Sequence, residues 1–374
     1  MIPFIDLQAQ RQRIQNEIDA AVTRVIHSGQ YMMGNDVTAL EEELSAFCGA
    51  RHAITCANGT DALVLALRAL DISTGDVVFA PSFTFVATVE AVRLVGAVPA
   101  FVDVDAATFN ICPQSLAETI NHVKRTTDLR PRAIIPVDLF GQPADYDAIQ
   151  QVAMKHSLDI IADSAQSFGA SLGGTPVGRL GRITTTSFFP AKPLGCYGDG
   201  GAMFTEDDDL AALLRSLRNH GQGTDRYDNV RVGLNSRLDT LQAAILREKL
   251  KIFPSEIEAR ERIAQAYSSG LPNGLRAQAV RAGAQSVWAQ YTVVCQNGDR
   301  DKMREDLAAR QIPTAVYYPK PNHLQAPYLS APRAPRGLPV TTELQSKVFS
   351  LPMHPYLDQK TQGDILEALA DING

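Results

Sequence analysis

Lys192 is the residue in this sequence whose surroundings best suit the chemistry of a reactive amine. It lies in the segment SFFPAKPLG (187–195), among apolar side chains, prolines and a glycine, and the next acidic residue is Asp199. An amine that is removed from water has a lowered pKa and can act as a nucleophile. A surface lysine whose stem packs on apolar neighbours also fits this pattern. The segment therefore predicts a reactive lysine only in combination with other groups.

Three further segments carry polar or aromatic residues where a predicted strand ends. Asn58-Gly59-Thr60 follows the strand-like run HAITCA and opens a helix, whose free N–H groups and positive dipole end suit a phosphate. Phe85 follows the next apolar strand and can stack on a flat ring. Asp163 ends the apolar strand LDIIA, and a buried carboxylate needs a cation or donors. Singly, these segments are explained more simply as a helix cap, a core aromatic and a salt bridge.

Together, the four segments contain the parts of a site for pyridoxal phosphate (PLP). That cofactor needs a Schiff-base lysine, a carboxylate at its pyridinium nitrogen, groups that hold its phosphate, and an apolar cover. The residues that would supply these parts are, in that order, Lys192, Asp163, Gly59 and Thr60 with Ser187, and Phe85. The combination predicts a PLP enzyme.

These segments need a scaffold of alternating strands and helices, and the sequence predicts one. Between residues 36 and 165, runs rich in Val, Ile and Ala alternate with segments whose apolar residues recur at helical spacing. Continuous apolar strands joined by helices are typical of a parallel sheet covered on both faces. In such sheets, ligands bind beyond the carboxyl ends of the strands. We therefore expect a large, mostly parallel α/β domain.

The second half of the chain completes the predicted organisation. Residues 237–267 indicate a long helical region that is broken or kinked near Pro254. After about residue 270 the pattern changes to strands, a helix and a Pro-rich stretch. The predicted division is a large α/β domain at 1–250, whose N-terminal arm at 1–35 partly faces the substrate, and a smaller α+β domain at 251–374.

Composition and missing motifs exclude several classes of protein. The 374 residues include 35 Lys and Arg against 41 Asp and Glu, and a net charge of −6 offers no basic footprint for nucleic acid. The N-terminus has no apolar signal region and no apolar run approaches the roughly 20 residues of a membrane helix, so we expect a cytoplasmic protein. The motifs GxGxxG, GxxxxGK[ST] and HExxH are absent. We predict no metal site, and reduced thiols at Cys48, Cys56, Cys112, Cys196 and Cys295.

Short motifs spread over almost the whole chain match those of one known family. They are FIDLQAQ (4–10), SGQYMMG (28–34), ANGTDAL (57–63), PSFTFVAT (81–88), DSAQSFGA (163–170), SFFPAKPLGCYGDGGA (187–202), RNHGQ (218–222), NSRLDTLQAAIL (235–246) and SLPMHPYL (350–357). With these motifs the sequence resembles the DegT/DnrJ-type nucleotide-sugar aminotransferases. The resemblance implies the fold of fold-type-I PLP enzymes and PLP as the cofactor.

The resemblance also implies a role for each matching residue. Lys192 would form the Schiff base with the cofactor and carry a proton, Asp163 would keep the pyridine nitrogen protonated, and Gln166 would hydrogen-bond the ring hydroxyl. The phosphate would be held by Gly59, Thr60 and Ser187 of one subunit and Asn235 of its neighbour. The protein would then be a homodimer with shared active sites.

The implied reaction moves an amino group from L-glutamate to a ketone on a nucleotide-linked sugar. The motifs resemble in particular those of enzymes that aminate C3 of a UDP-linked 2-acetamido-3-keto sugar, for diamino sugars of lipopolysaccharide or lipid A. In the members of this group that use the uronic acid form, the sugar is contacted by the residues at Gly29, Tyr31 and Arg237, by a serine before the lysine and by a His-Tyr pair.

The present sequence departs from that group at two places. It has Ala191 in the position of the serine, and Tyr317 with Tyr318 where the His-Tyr pair would be. A carboxylate at C6 of the sugar prefers a cation or several donors, and of these Arg237 remains. We therefore expect the neutral 3-ketoglucose form slightly ahead of the 3-ketoglucuronate.

Two alternatives stay open. The first is amination at C4 of a 4-keto-6-deoxy sugar, and the regiochemistry of the product distinguishes it. The second is a regulator that has the PLP fold but no turnover, which the presence of Lys192 and Asp163 disfavours. A related branch of the family dehydrates sugars with a histidine in place of the lysine, and Lys192 argues against that branch.

Overall fold

The secondary structure alternates between strands and helices along most of the chain. A computed structural model of the protein describes residues 2–225 and 227–373. Within these residues the α-helices are α1 Leu7–Arg13, α2 Gln15–Ser28, α3 Asn35–Cys48, α4 Gly59–Ala69, α5 Ala87–Leu94, α6 Pro113–Thr126, α7 Tyr146–His156, α8 Asp208–Leu217, α9 Thr240–Gly270, α10 Arg300–Ala309, α11 Pro339–Lys347 and α12 Gln359–Asn373. The strands are β1 His52–Cys56, β2 Asp76–Pro81, β3 Val98–Val102, β4 Arg130–Ile134, β5 Asp159–Asp163, β6 Ser171–Leu172, β7 Thr175–Pro176, β8 Ile183–Ser187, β9 Gly201–Thr205, β10 Leu275–Ala277, β11 Ala284–Gln285, β12 Tyr291–Cys295 and β13 Val348–Leu351.

The central sheet is mostly parallel, as predicted. Its strand order is β1-β9-β8-β5-β4-β2-β3 among the described residues. The strands from β8 to β3 pair in parallel, whereas β9 is antiparallel to both of its neighbours. The connections between β1 and β5 pass through helices, which cover the sheet, whereas β5 and β8 are joined through the short strands β6 and β7.

Both faces of this sheet are buried, which explains why its strands lack polar alternation. Side chains of a strand point alternately to opposite faces. In β2, Val78 and Ala80 pack into the cluster that contains α4, whereas Val77 and Phe79 pack into the cluster that contains α6 and α7. Each parallel strand therefore contributes to two apolar layers.

The C-terminal part of the chain forms a second apolar centre. The antiparallel sheet β10-β12-β13 packs with α10 and α12 around Tyr267, Tyr291 and Phe349. The division of the chain at residue 250 stays a prediction, and α9 runs through that position. No helix among the described residues is long and apolar enough to cross a membrane.

The helix α9 is continuous from Thr240 to Gly270, so a break near Pro254 is wrong, whereas a kink there stays a prediction. A proline inside a helix removes one hydrogen bond and crowds the preceding turn. The flanking residues Phe253 and Ile257 are buried in the cluster beside the central sheet. Tertiary packing of this kind overrides a local helix-breaking preference.

Candidate active site

The predicted site segments meet at one edge of the central sheet. Asn58-Gly59-Thr60 follows β1, Phe85 lies between β2 and α5, Asp163 ends β5, and Ser187 ends β8. These four strands run in the same direction, so their carboxyl ends share one edge. This edge is where ligands bind in open α/β sheets.

Asp163 is buried and held by two donors. The Thr88 hydroxyl donates to Oδ2 at 2.9 Å, and the Ala165 N–H donates to Oδ1 at 3.2 Å. Burial raises the pKa of the Asp163 carboxyl, while these hydrogen bonds and the charge of Lys192 oppose the rise. The two donors and the lysine charge stabilise the ionised form against burial, and the carboxylate oxygens can accept a further donor, such as a pyridinium N–H.

Lys192 is half-buried near Asp163. Its backbone N–H donates to the Phe189 carbonyl at 2.9 Å, which closes a turn directly after β8. Burial lowers the pKa of the Lys192 amine, and the negative charge of Asp163 opposes that shift. A partly desolvated lysine near a carboxylate, at the carboxyl edge of a sheet, has the properties of a nucleophilic amine.

The start of α4 has the geometry of a phosphate site. Asn58 caps the helix, because its Oδ1 accepts from the Asp61 N–H at 2.8 Å and its carbonyl accepts from the Ala62 N–H at 3.1 Å. The N–H groups of Gly59 and Thr60 have no acceptor among the described residues, as is usual for the first helical turn. Both groups are therefore available to an anion at the positive end of the helix.

Gly59 also stands directly against Ser187, the predicted partner in phosphate binding. A Cβ atom at Gly59 would lie 2.7 Å from the Cβ of Ser187. That distance is a clash, so the two segments can approach this closely only with glycine at this position. The structure thus brings Gly59, Thr60 and Ser187 together.

Gln166 and Tyr318 form a hydrogen-bonded pair on another side of the site. The Gln166 amide nitrogen donates to the Tyr318 hydroxyl at 3.1 Å, and its oxygen accepts from the Phe140 N–H at 2.7 Å. The ring of Phe85, which is 53% exposed, lies 6.2 Å from the Tyr318 ring. The Tyr317 ring lies 5.8 Å from that of Tyr318. That Gln166 binds the ring hydroxyl of the cofactor stays a prediction.

Asn235 and Arg237 form a separate group in this chain. Arg237 donates to Asn235 Oδ1 at 2.6 Å and to Asn219 Oδ1 at 3.3 Å, and its buried Nε has no hydrogen-bond partner among the described residues. Arg237 and Asn219 line a polar cavity of about 520 Å³. No hydrogen bond among the described residues links Asn235 or Arg237 to Lys192 or Asp163.

Gly29 and Tyr31 lie in the exposed connection between α2 and α3. Gly29 ends α2 in the left-handed conformation with φ 68°, and the Tyr31 hydroxyl donates to the Ile26 carbonyl at 3.2 Å. The backbone of Tyr31 accepts from the Thr240 N–H at the start of α9. The roles of Gly29, Tyr31, Asn235 and Arg237 at substrate or cofactor stay predictions.

Two residues that support the site were missed by the sequence reasoning. Thr88, on the first turn of α5, donates to Asp163. Asp138 is fully buried, and its carboxylate accepts from Tyr146 at 2.9 Å, Ser164 at 3.0 Å and Ser167 at 2.8 Å. Burial raises the pKa of Asp138 to about 6. An aspartate directly after the apolar run RAIIPV was the signal for the second residue.

The residues at this sheet edge fit pyridoxal phosphate. A buried carboxylate, a desolvated lysine, two free N–H groups at a helix start and an exposed aromatic ring match the parts of that cofactor. Among the described residues, no group of His, Cys, Asp and Glu is arranged to hold a metal ion. The fold and the site together define an aminotransferase of the class that uses PLP.

Comparison with known proteins gives the family. The sequence profile of the DegT/DnrJ/EryC1/StrS aminotransferase family matches residues 12–370, and the chain belongs to this family. The predicted resemblance and the predicted cofactor are thereby confirmed.

Two curated relatives are similar over nearly the full length. The UDP-2-acetamido-2-deoxy-3-oxo-D-glucuronate aminotransferase of Pseudomonas aeruginosa is 48% identical, with 99% of this chain and 100% of the relative covered. The UDP-N-acetyl-3-dehydro-alpha-D-glucosamine 3-aminotransferase of Acidithiobacillus ferrooxidans is 41% identical, with 96% and 94% covered.

Solved structures of aminotransferases share the fold. A DegT/DnrJ/EryC1/StrS aminotransferase from Brucella abortus is 48% identical and superposes with a TM-score of 0.98 over 100% of both chains. NtdA from Bacillus subtilis, solved with the bound cofactor PMP, is 28% identical with a TM-score of 0.88, over 99% of this chain and 85% of that one.

Proposed function

We propose that this aminotransferase moves an amino group from L-glutamate to C3 of a UDP-linked 2-acetamido-2-deoxy-3-keto-hexose. The observation that carries the proposal is the full-length likeness to two enzymes whose names give the same nucleotide and the same oxidised carbon. Their sugars differ at C6, so likeness alone supports the position of amination more strongly than the identity of the sugar.

The chain's own residues then divide the work of transamination. When bound, PLP supplies an electron sink for the carbanion that transamination creates. Asp163, supported by Thr88, would hold a proton on the ring nitrogen. Lys192 would take up and return the proton of the reacting carbon, since a lowered pKa increases the share of the amine that is unprotonated and can act as a base. The free N–H groups of Gly59 and Thr60 would bind the phosphate.

A homodimer is part of the proposal. Asn235 has no contact with the Gly59–Ser187 pair through any hydrogen bond of the described residues, and we infer that it serves the phosphate site of a neighbouring subunit. Arg237 donates a hydrogen bond to Asn235 and would therefore lie at the same site of the neighbouring subunit. Each active site would then be complete only in the assembled pair.

The side chains expected around the sugar favour the hydroxymethyl form at C6. Among Gly29, Tyr31, Arg237, Tyr317 and Tyr318, the arginine is the one cation. Its two terminal nitrogens already donate to Asn235 and Asn219. A carboxylate that leaves water needs more donors than this group supplies, whereas a hydroxymethyl group does not.

The 3-ketoglucuronate is the second candidate, and two observations favour it. The name of the 48% identical relative gives the glucuronate as its substrate. The buried Nε of Arg237 has no acceptor within residues 2–225 and 227–373, so one donor is available to an anion. Burying such a donor without a partner costs roughly 1–3 kcal/mol.

A direct comparison of the two sugars tests the proposal. Purified enzyme with PLP and L-glutamate is assayed for kcat/KM with each UDP-linked 3-keto sugar, using wild type, Arg237→Ala and, as a control, the exposed Arg336→Ala. We expect the higher kcat/KM with the neutral sugar and a small effect of Arg237→Ala on it. A preference for the uronate that Arg237→Ala lowers by roughly 10- to 150-fold would establish the second candidate. Failure to aminate either sugar would overturn the proposed function.

A further inference from the structure

Two side chains of α9 form hydrogen bonds with the backbone of the loop that carries Lys192. Gln242 accepts from the Tyr197 N–H at 2.8 Å and donates to the Tyr197 carbonyl at 3.2 Å. The Lys249 ammonium donates to the Gly195 carbonyl. Lys249 follows Gln242 by seven residues, which is two helical turns, so both side chains lie on the same face of α9.

Lys249 is an unusual residue for its location. It is 1% exposed, and its immediate neighbours in the helix include the buried Leu246 and Phe253. No carboxylate forms an ion pair with it among the described residues, although Glu256 lies close enough to influence it. The ammonium lies 5.0 Å from the centre of the Tyr197 ring. Burial lowers the pKa of Lys249 to about 8, while Glu256 and Cys196 oppose that shift.

An unpaired buried charge lowers stability, and an apolar residue of similar size would avoid that cost. The contacts that Lys249 does make are with the loop after Lys192: the Gly195 carbonyl and the face of Tyr197. The buried charge of Lys249 therefore interacts chiefly with that loop.

A displacement of Gly195 should also move Lys192, because hydrogen bonds and close contacts join the two halves of the loop. Phe188 accepts at its carbonyl from the Cys196 N–H at 2.7 Å, which joins the two ends of the turn. The Lys192 N–H donates to Phe189 within the same turn. A Cβ at Gly195 would lie 2.5 Å from the Pro190 carbonyl oxygen, so the two halves of the loop are in contact.

We propose that Lys249 and Gln242 are positioning residues that hold the Lys192 loop against α9 and thereby keep the half-buried Lys192 amine shielded from water near Asp163. The inference rests on the role proposed for Lys192. It adds that a second, buried lysine determines where the first one stands.

The test compares variants of the full-length protein. Lys249→Met removes the charge at similar length, Lys249→Arg keeps it, and Gln242→Ala removes the other contact. Lys251→Met is the matched control, because it removes an exposed charge from the same helix. In the protein without cofactor, the rate at which a small amine reagent labels Lys192 is followed against pH by mass spectrometry. With PLP present, kcat, the KM for glutamate and the unfolding temperature are measured.

We expect Lys249→Met and Gln242→Ala to raise the pH midpoint of Lys192 labelling by about one unit, because a loosened loop exposes the amine to water. We also expect kcat to fall roughly 10- to 100-fold with little change in KM, since a small displacement of a reacting group has effects of this size. Lys249→Arg should restore both quantities in part, and Lys251→Met should change neither.

A Lys249→Met protein with the wild-type labelling midpoint and kcat would overturn the inference. So would a protein whose unfolding temperature falls while the Lys192 midpoint stays unchanged, because that result describes a structural role alone. If the wild type fails to use glutamate but the midpoint still moves in Lys249→Met, the proposed function fails and the positioning role stands.

Discussion

Thr88 donates a 2.9 Å hydrogen bond to Asp163, and both side chains are almost fully buried. The bond joins the first turn of α5 to the end of β5, two elements that are far apart in the sequence. It orients one oxygen of the carboxylate and favours its ionised form against the effect of burial. The other oxygen accepts from the Ala165 N–H, so both carboxylate oxygens are oriented by a hydrogen bond.

Removing this donor should slow the reaction without abolishing it. We expect Thr88→Val to lower kcat by roughly 10- to 100-fold, because a hydrogen bond to a charged group contributes about 1.5–3 kcal/mol. Thr88→Ser keeps the hydroxyl and should retain most of the activity. Steady-state kinetics with glutamate provides the measurement. Equal rates for the valine and serine variants would show that the bond has no catalytic importance.

Asp163→Asn should have a larger effect than Thr88→Val. The amide cannot hold a proton on the ring nitrogen of the cofactor, and we expect kcat to fall on the order of 100-fold or more. The matched control is Asp147→Asn, an exposed residue of the neighbouring helix α7. A wild-type kcat in the Asp163 variant would restrict that residue to a structural role.

The close approach of Gly59 and Ser187 leads to a prediction about cofactor affinity. In Gly59→Ala the new methyl group would stand 2.7 Å from the Ser187 Cβ and push the two phosphate-binding segments apart. We expect PLP to bind roughly tenfold or more weakly, as measured by equilibrium titration, because the N–H donors would be displaced. Gly363→Ala in α12, where no atom lies within 4 Å of the new Cβ, should bind PLP normally and stabilise the protein by roughly 0.5–1 kcal/mol. Equal PLP affinity in the two alanine variants would contradict this account.

Asp138 predicts a pH dependence of stability. Burial raises the pKa of its carboxyl from 3.8 to about 6, so the folded protein binds a proton that the unfolded chain has released in that range. The contribution of Asp138 to the free energy of unfolding therefore falls as the pH rises from about 4 to about 6, by on the order of 3 kcal/mol, and is constant above that range.

The difference between wild type and Asp138→Asn isolates this effect. Urea unfolding at several pH values should show the wild-type free energy of unfolding declining relative to that of the variant across this range. Loss of the hydrogen bonds to Ser164 and Ser167 would change the free energy of unfolding of the variant by the same amount at each pH. Parallel profiles for the two proteins would show that Asp138 has no raised pKa.

The residues of the sheet edge could be predicted because each one sits at a strand end or a helix start. Gly59 follows the apolar strand β1, Asp163 ends the apolar strand β5, and Ser187 ends β8. Parallel strands place their carboxyl ends side by side. Residues that reach the site by tertiary contact could not be found in this way. Thr88 lies within a helix, and nothing in its local sequence indicates a bond to β5.

The continuity of α9 was missed for a similar reason. Pro254 has a strong local preference against helix interiors, but the burial of Phe253 and Ile257 is a property of the folded chain. Lys249 likewise resembles an ordinary surface lysine in the sequence, and its contact with Gly195 appears only when α9 is placed behind the loop. Asn235 could not be placed at the site for a different reason, since its predicted role involves a second subunit.

The position to which nitrogen is transferred tests the central claim most directly. Purified enzyme with PLP is incubated with ¹⁵N-labelled L-glutamate and a UDP-linked 2-acetamido-2-deoxy-3-keto-hexose, beside a Lys192→Ala control, and the product is examined by NMR. We predict that the label appears on C3 of the sugar with the wild type and that no labelled sugar forms with Lys192→Ala. No label at C3 of this sugar, with label at C4 of a nucleotide-linked 4-keto-6-deoxy sugar offered in a parallel incubation, would contradict the account. Full transfer by Lys192→Ala would contradict it as well.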